Sequence, residues 1–345
     1  MSRTSNMPRT ILVNQSYRMQ RMTGQQRYAH EIASRLIDRP GYAEIAPTGF
    51  WAASALRVWA WLQLVLPLAS RRGILLSMTS RAPLAHPRQV LVVHDLFVLT
   101  NPEWFSRKYV LSHAPILRAQ LKRAIGVIAV SEPVAAEVAA SYSGPIVVAP
   151  NAPSEAFLVK DAPKTDALSS RDLTPGSYFL AVGSIDPRKN LPKLAEAYGR
   201  LSAEIRETVP LVLVGGGNAI YKEQQITWPN GTVDAGFVSD DELRDLYADS
   251  RAVVFVSLAE GFGLPLVEAA AAGAPSLVIS DIPVFRWICG DGATYVDPTS
   301  VESIAEGLGA AIEAPVAVGL DLSRFQWGAS ADTVAELVER ARDRA

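Results

Sequence analysis

A two-domain α/β fold is expected from three observations. The chain has 345 residues, long for one core, so two domains are the default. Short apolar, β-branched runs alternate with helical patterns throughout, which implies parallel sheets with helices on both faces. Residues 160–177 carry Pro163, Pro175, Gly176 and several Ser and Asp without apolar periodicity, and read as a linker. The first domain is expected over 1–165 and the second from 166.

Strands are expected at 11–13, 74–76, 90–93, 127–130 and 146–148, then at 178–182, 211–214, 252–256 and 276–279. Ligands of such sheets bind at the carboxyl ends of strands, so a cleft between two facing domains is the expected site. A last helix is expected from about Asp332 to Arg344.

Hydrophobic residues make up 49% of the chain and charged ones 20%, a globular composition. A single cysteine, Cys289, excludes an internal disulfide framework and fits a reducing compartment. Residues 1–10 are polar and carry Arg3 and Arg9, which argues against a signal peptide. The apolar-rich stretch 51–70 is interrupted by Arg57, Gln63 and Pro67, too often for a membrane span. Its Trp51 and Trp59, with Trp61, are expected to pack in the core. Net charge is −2, but residues 1–165 hold 19 Lys and Arg against 9 Asp and Glu, and residues 166–345 hold 14 against 26. A basic first half suggests an anionic partner, such as a phospholipid surface or a lipid pyrophosphate. The helix expected over 106–123 has Arg107, Lys108, Arg118, Lys122 and Arg123 and no acid. Both a membrane-facing surface and a solvated basic face fit it.

The most informative segment is 259–273. Glu260 follows the expected strand 252–256. Pro265 suits a first helical turn and Gly273 a helix end. Glu268 then lies about one turn into the helix. The start of that helix, at Gly263 and Leu264, offers amides and a positive dipole end to an anion. Two carboxylates flanking such a helix start suggest a nucleotide-sugar site, one binding sugar hydroxyls and the other a ribose diol.

Other strand ends carry complementary groups. Arg188 and Lys189 follow strand 178–182, just before a helix whose cap would be Asn190, and suit a diphosphate. Gly24 lies after the first strand, where its backbone can approach a phosphate or simply turn. Arg18, Arg21 and Arg27 beside it are candidate acceptor-phosphate contacts. His94 ends the 90–93 strand, where both a structural role and contact with a sugar hydroxyl fit it. Gly215, in a Gly-rich turn ending at Gly217, allows close packing beside a donor. Asp240 and Asp241 are not read as metal ligands, because Ser239 and Glu242 make a capping box around them. No His/Cys cluster of metal-ligand spacing is present.

The 259–273 segment closely resembles the paired-glutamate motif of retaining glycosyltransferases of the GT-B fold, in particular glycosyltransferase family 4. The likeness spans almost the whole chain and is strongest over 178–298. It implies two Rossmann-like domains, with the terminal segment 326–345 crossing back onto the first. It implies an enzyme moving a hexose from a nucleotide-diphosphate sugar, with no cofactor and no metal. Arg188 and Lys189 then stand where the family holds its diphosphate ligands, assisted by Gly24, Gly263 and Leu264. Glu260, Gly261, Phe262 and His94 line the sugar pocket, with Glu260 and His94 nearest the chemistry. Glu268 holds the ribose, while Gly236, Phe237, Val238 and Gly215 surround the nucleoside. One departure is Ser184, where many relatives have an arginine. The loops look most like those of mannosyl- and rhamnosyl-transferring relatives in polysaccharide assembly. The expected partners are a GDP-, dTDP- or UDP-sugar donor and a saccharide or lipid-pyrophosphate-linked acceptor, with no nucleic acid. The expected location is cytoplasmic, peripheral on an inner membrane face. A sugar-nucleotide 2-epimerase of the same fold and a silent nucleotide-sugar-binding paralogue are the alternatives.

Overall fold

A computed structural model describes residues 10–20, 22–159, 162–216 and 226–344. The chain divides into two compact units. The first comprises Met1–Thr100, Val110–Asn151 and Gln326–Ala345, and the second Asn101–Tyr109 and Ala152–Phe325.

The first unit holds β1 (Ile11–Asn14), β2 (Tyr42–Ile45), β3 (Ile74–Ser77), β4 (Gln89–Val93), β5 (Gly126–Ala129) and β6 (Ile146–Val148). They form one sheet in the order β2-β1-β3-β4-β5-β6, every pair parallel. The second unit holds β7 (Phe179–Val182), β8 (Leu211–Val214), β9 (Thr232–Gly236), β10 (Ala252–Phe255), β11 (Leu277–Ser280) and β12 (Thr294–Val296). These are also parallel, in the order β12-β11-β10-β7-β8-β9. The central strands are apolar and buried on both faces, as a helix-covered parallel sheet requires.

The second sheet has the doubly wound order in which the chain turns from one side to the other between its first and fourth strands. That reversal lies between β7 and β10, the strands that precede Arg188 and Glu260. In the first sheet the reversal lies beside β1, ahead of Gly24.

Three strands, β2, β9 and β12, were not expected from the sequence. All three are sheet edges with half-exposed residues. Edge strands need only partial burial, so they lack a continuous apolar run.

Three further expectations are corrected. The change of unit falls at Asn151/Ala152, ahead of the 165/166 boundary expected from composition. Residues 162–177 are no free linker but are pinned to the helix Asp240–Ala248 by polar bonds. Thr165 donates its backbone N–H (2.6 Å) and hydroxyl (2.8 Å) to Asp245, and Lys164 pairs with Asp249 at 2.8 Å. A search for apolar periodicity does not see such bonds. The terminal helix also starts earlier, at Trp327. It packs within the first unit, where Ser330 donates to the Pro150 carbonyl (2.7 Å) and Tyr42 to Glu339 (3.1 Å).

Candidate active site

In the second unit, the loops after β7 and β10 meet. The Leu258 N–H donates to the Arg188 carbonyl at 2.7 Å, which fixes one loop to the other. Lys189 Nζ donates to Glu260 Oε1 at 2.7 Å, and Arg188 Nη1 lies 3.7 Å from Glu260 Oε2. Lys189 also sits 4.2 Å above the centre of the Phe255 ring, a cation–π contact at the end of β10. Burial alone would raise the Glu260 carboxyl, but the Lys189 and Arg188 charges more than offset it and hold it below its ordinary range. Glu260 is therefore ionised at neutral pH.

Asp186 escaped the sequence reading. Its side chain is wholly buried and is the clamp on Arg188. Oδ1 accepts from the Arg188 backbone N–H (3.0 Å) and from Nε (3.2 Å), while Oδ2 accepts from Ser184 Oγ at 2.8 Å. Ser184 thus orients the aspartate that orients Arg188. Asn190 stands at the cap of its helix, as expected, but its side chain does not make the capping bond. It adopts a left-handed backbone (φ 57°) and donates from Nδ2 to the carbonyls of Val256 (3.1 Å) and Pro298 (2.7 Å). Asn tolerates that conformation better than most residues. An Asp two residues before an Arg-Lys pair was the signal available for the clamp.

Gly263 precedes the helix Leu264–Ala272 with φ 109°. A Cβ there would stand 2.9 Å from the Phe285 ring, so only glycine fits. Pro265 occupies the first turn and Gly273, with φ 87°, ends the helix, as expected. The first-turn amides of this helix leave an anion-favouring end beside Glu260. Gly261 is buried. The Phe262 ring is buried edge-on against Trp287 and Phe325. Glu268 is buried within the helix.

A cavity of about 280 Å³ opens beside Lys189, lined by Gly183, Gly215, Gly216, Trp228, Asp234 and apolar residues. Trp228 and Asp234 were not singled out from the sequence. Gly215 has φ 133°, and a Cβ on it would fall 2.0 Å from the Gly183 carbonyl. The ends of β7 and β8 close up only because no side chain intervenes. Gly236 pairs opposite Val214, where the β8–β9 register shifts. Phe237 is exposed and lies over Gly216, and Val238 is half-buried. Gly217 lies outside the described residues. Ser239 and Glu242 form the expected capping box, with Asp240 and Asp241 in the first turn. Among the described residues, no three His, Cys, Asp or Glu side chains converge as metal ligands.

The first unit carries the remaining candidates. His94 follows β4, is buried, and donates from Nε2 to the Met78 carbonyl at 2.9 Å. A carbonyl only accepts, so Nε2 holds the proton and Nδ1 is left as an acceptor. Burial lowers the imidazole to about 4, with the Met78 bond opposing, so His94 is neutral near pH 7. Its ring stands edge-on to Tyr28, 5.2 Å between centres. Gly24 begins the helix Gly24–Ile37, on which Arg27 is half-buried. Arg18 is half-exposed and paired with Glu44 at 3.1 Å. Arg21 lies outside the described residues. The structure thus brings Arg188, Lys189 and Glu260 into one cluster, with Gly263 and Leu264 at the adjoining helix start.

Residues 170–326 match the family of glycosyl transferases group 1. The chain is 31% identical over 232 residues to O-antigen chain mannosyltransferase B of Escherichia coli, covering 63% of this chain and 59% of that protein. It is 30% identical over 222 residues to O-antigen chain mannosyltransferase RfbU of Salmonella typhimurium, covering 62% and 58%. The chain thus spans about six-tenths of the length of these relatives. Among solved structures, WaaG, a glycosyltransferase involved in lipopolysaccharide biosynthesis, superposes with a TM-score of 0.66 at 16% identity over 97% of this chain and 99% of that one. Anabaena Alr3699/HepE in complex with UDP and glucose gives 0.69 at 17% identity, over 96% and 99%. The match to the glycosyl transferases group 1 family is confined to residues 170–326, and the chain has the GT-B fold of these structural neighbours.

Proposed function

We propose that this protein is a retaining glycosyltransferase of polysaccharide assembly. It moves a hexose, mannose before rhamnose, from a nucleoside-diphosphate sugar to a saccharide or lipid-linked saccharide. The observation that carries this reading is the buried Lys189–Glu260–Arg188 cluster at the sheet reversal, beside a helix start. Arg188, Lys189 and the first-turn amides neutralise the departing diphosphate, so the reaction needs no metal and no cofactor. Glu260, ionised and oriented, holds sugar hydroxyls and stabilises positive charge developing at the anomeric carbon. The leaving phosphate oxygen takes the acceptor's proton from the same face, which retains configuration without a protein base. His94, neutral with Nδ1 as acceptor, receives a sugar hydroxyl. Glu268 holds the ribose, with Gly215, Gly236, Phe237 and Val238 around the nucleoside. Gly24, Arg18, Arg21 and Arg27 serve the phosphates and the acceptor.

The names of the two O-antigen mannosyltransferases support mannose and a cell-surface polysaccharide acceptor. No helix among the described residues is long and apolar enough to cross a membrane. The proposed location is the cytoplasmic side, where nucleotide sugars are made. The test is a panel of GDP-, dTDP- and UDP-sugars, read by thermal shift and then by proton NMR of the product. Stabilisation by one donor and a product of unchanged anomeric configuration are expected. An inverted product removes the retaining mechanism, a free 2-epimer points to the epimerase, and binding without turnover points to a silent paralogue.

A further inference from the structure

We propose that the first unit docks on an anionic lipid surface through the outward face of residues 50–72 and the adjoining basic face of residues 110–123. The stretch 55–69 is helical. Its inner face is accounted for: Val58, Trp61, Leu62 and Leu66 pack with Leu75, Leu12 and Ile45. Its outer face is apolar too. Leu56 is 75% exposed, Leu64 63% and Leu68 68%, with Phe50 at 62% and Trp59 at 51%. This corrects the expectation that all the tryptophans here are core: Trp61 is buried, whereas Trp59 projects outward. A helix on a water-facing surface carries polar residues outward, so a row of projecting Leu, Trp and Phe needs a partner.

The basic face lies next to it. Gln63 on the apolar helix donates to the Ala82 carbonyl (3.4 Å), and Gln120 on the basic helix donates to that same carbonyl (2.7 Å). One loop oxygen therefore joins the two helices. Arg118, Lys122 and Arg123, with Pro115 and Ala119, line a concave patch on the second helix, and Leu111 is exposed one turn before Pro115. No acid occurs between Glu44 and Asp95, an interval that holds Arg57, Arg71, Arg72, Arg81 and Arg88. Arg57 lies 4.1 Å from the centre of the exposed Phe50 ring, which joins cation and apolar group at one spot.

Charge complementarity selects the occupant. Anionic headgroups suit a surface with cations and no carboxylate, and the acyl boundary takes projecting Leu and Trp side chains with no preformed groove. This surface shares no residue with the proposed sugar-transfer site, and its test does not depend on turnover.

The test is co-sedimentation with phosphatidylcholine vesicles, either neutral or carrying about 30% phosphatidylglycerol. The proteins are the full chain and its Leu56→Asn/Leu64→Gln/Leu68→Gln variant. These side chains are exposed, so an unchanged melting temperature checks the variant's fold. Binding to the anionic vesicles alone is expected, weakening as salt rises and the Debye length shortens. The triple variant is expected to bind about tenfold or more weakly. Arg118→Glu/Lys122→Glu should lower binding as well, and lipids brominated in their acyl chains should quench a signal that is absent in Trp59→Phe. Equal binding to both vesicles, no binding to either, or a triple variant that binds like the parent overturns the proposal. So does a lipid-free dimer that the triple variant dissociates, because a second copy then covers this face.

Discussion

Lys189 Nζ and Glu260 Oε1 are 2.7 Å apart, and Arg188 attends the other oxygen of the same carboxylate. The two cations proposed for a diphosphate are thus held by the carboxylate proposed for the sugar. With Asp186, the cluster holds two negative and two positive charges. On the proposed function, a diphosphate competes for the cations, and drawing them toward it releases Glu260 oxygens to sugar hydroxyls. That exchange would couple donor binding to carboxylate readiness.

Glu260→Gln is therefore expected to separate binding from chemistry. It removes the charge that stabilises the transition state, so kcat should fall about 10²-fold or more. It also frees Lys189 from a full ion pair, so affinity for the free nucleoside diphosphate should hold or rise. Steady-state kinetics with calorimetric titration checks both. A kcat close to the parent's would remove Glu260 from the chemistry.

Arg188→Ala and Lys189→Ala should each weaken nucleoside diphosphate binding by about 1.5–3 kcal/mol, the worth of a charged hydrogen bond. Unchanged affinity by calorimetry would take the residue out of the site.

Asp186→Asn tests the clamp. The wholly buried carboxylate accepts from the Arg188 backbone, the Arg188 side chain and Ser184. Loss of its charge leaves a buried guanidinium short of a partner, at a cost of about 3 kcal/mol. Urea unfolding should show that loss, and diphosphate affinity should fall because Arg188 is no longer aimed. A variant as stable as the parent would show that Glu260 alone holds Arg188.

The sequence carried the site better than its supports. Glu260, Arg188 and Lys189 were legible because strand ends, glycines and a first-turn proline mark where a doubly wound sheet presents its loops. Asp186 was not, because its bonds to Ser184 and Arg188 are local but its burial comes from the packed fold, and Asn190 was not, because it donates to carbonyls brought from elsewhere, such as Pro298, 108 residues away. The central strands were legible from unbroken apolar runs. The edge strands β2, β9 and β12 were not, since one partner and partial burial ask little of their composition. Trp59 and Trp61 were indistinguishable as residue types. Only the helix they share decides that one faces the core and the other faces out.

Activity in excess EDTA checks the metal-free reading. Arg188, Lys189 and the helix start at Leu264 supply the positive charge, so turnover should persist after chelation. Loss of activity that Mg²⁺ or Mn²⁺ restores would overturn it.

The pH dependence of stability follows from His94. Its pKa is lowered to about 4 in the fold, from 6.5, because burial penalises the imidazolium. Between those values the unfolded chain binds a proton that the folded chain does not, so stability rises with pH across that window. The contribution is complete above about 6.5 and is lost as pH falls toward 4, by about 3 kcal/mol at most. His94→Gln removes the titrating group. Urea midpoints from pH 7 down to about 4 should fall less steeply in the variant than in the parent. Parallel curves would mean that His94 titrates in the fold as it does in the unfolded chain and that burial does not depress it.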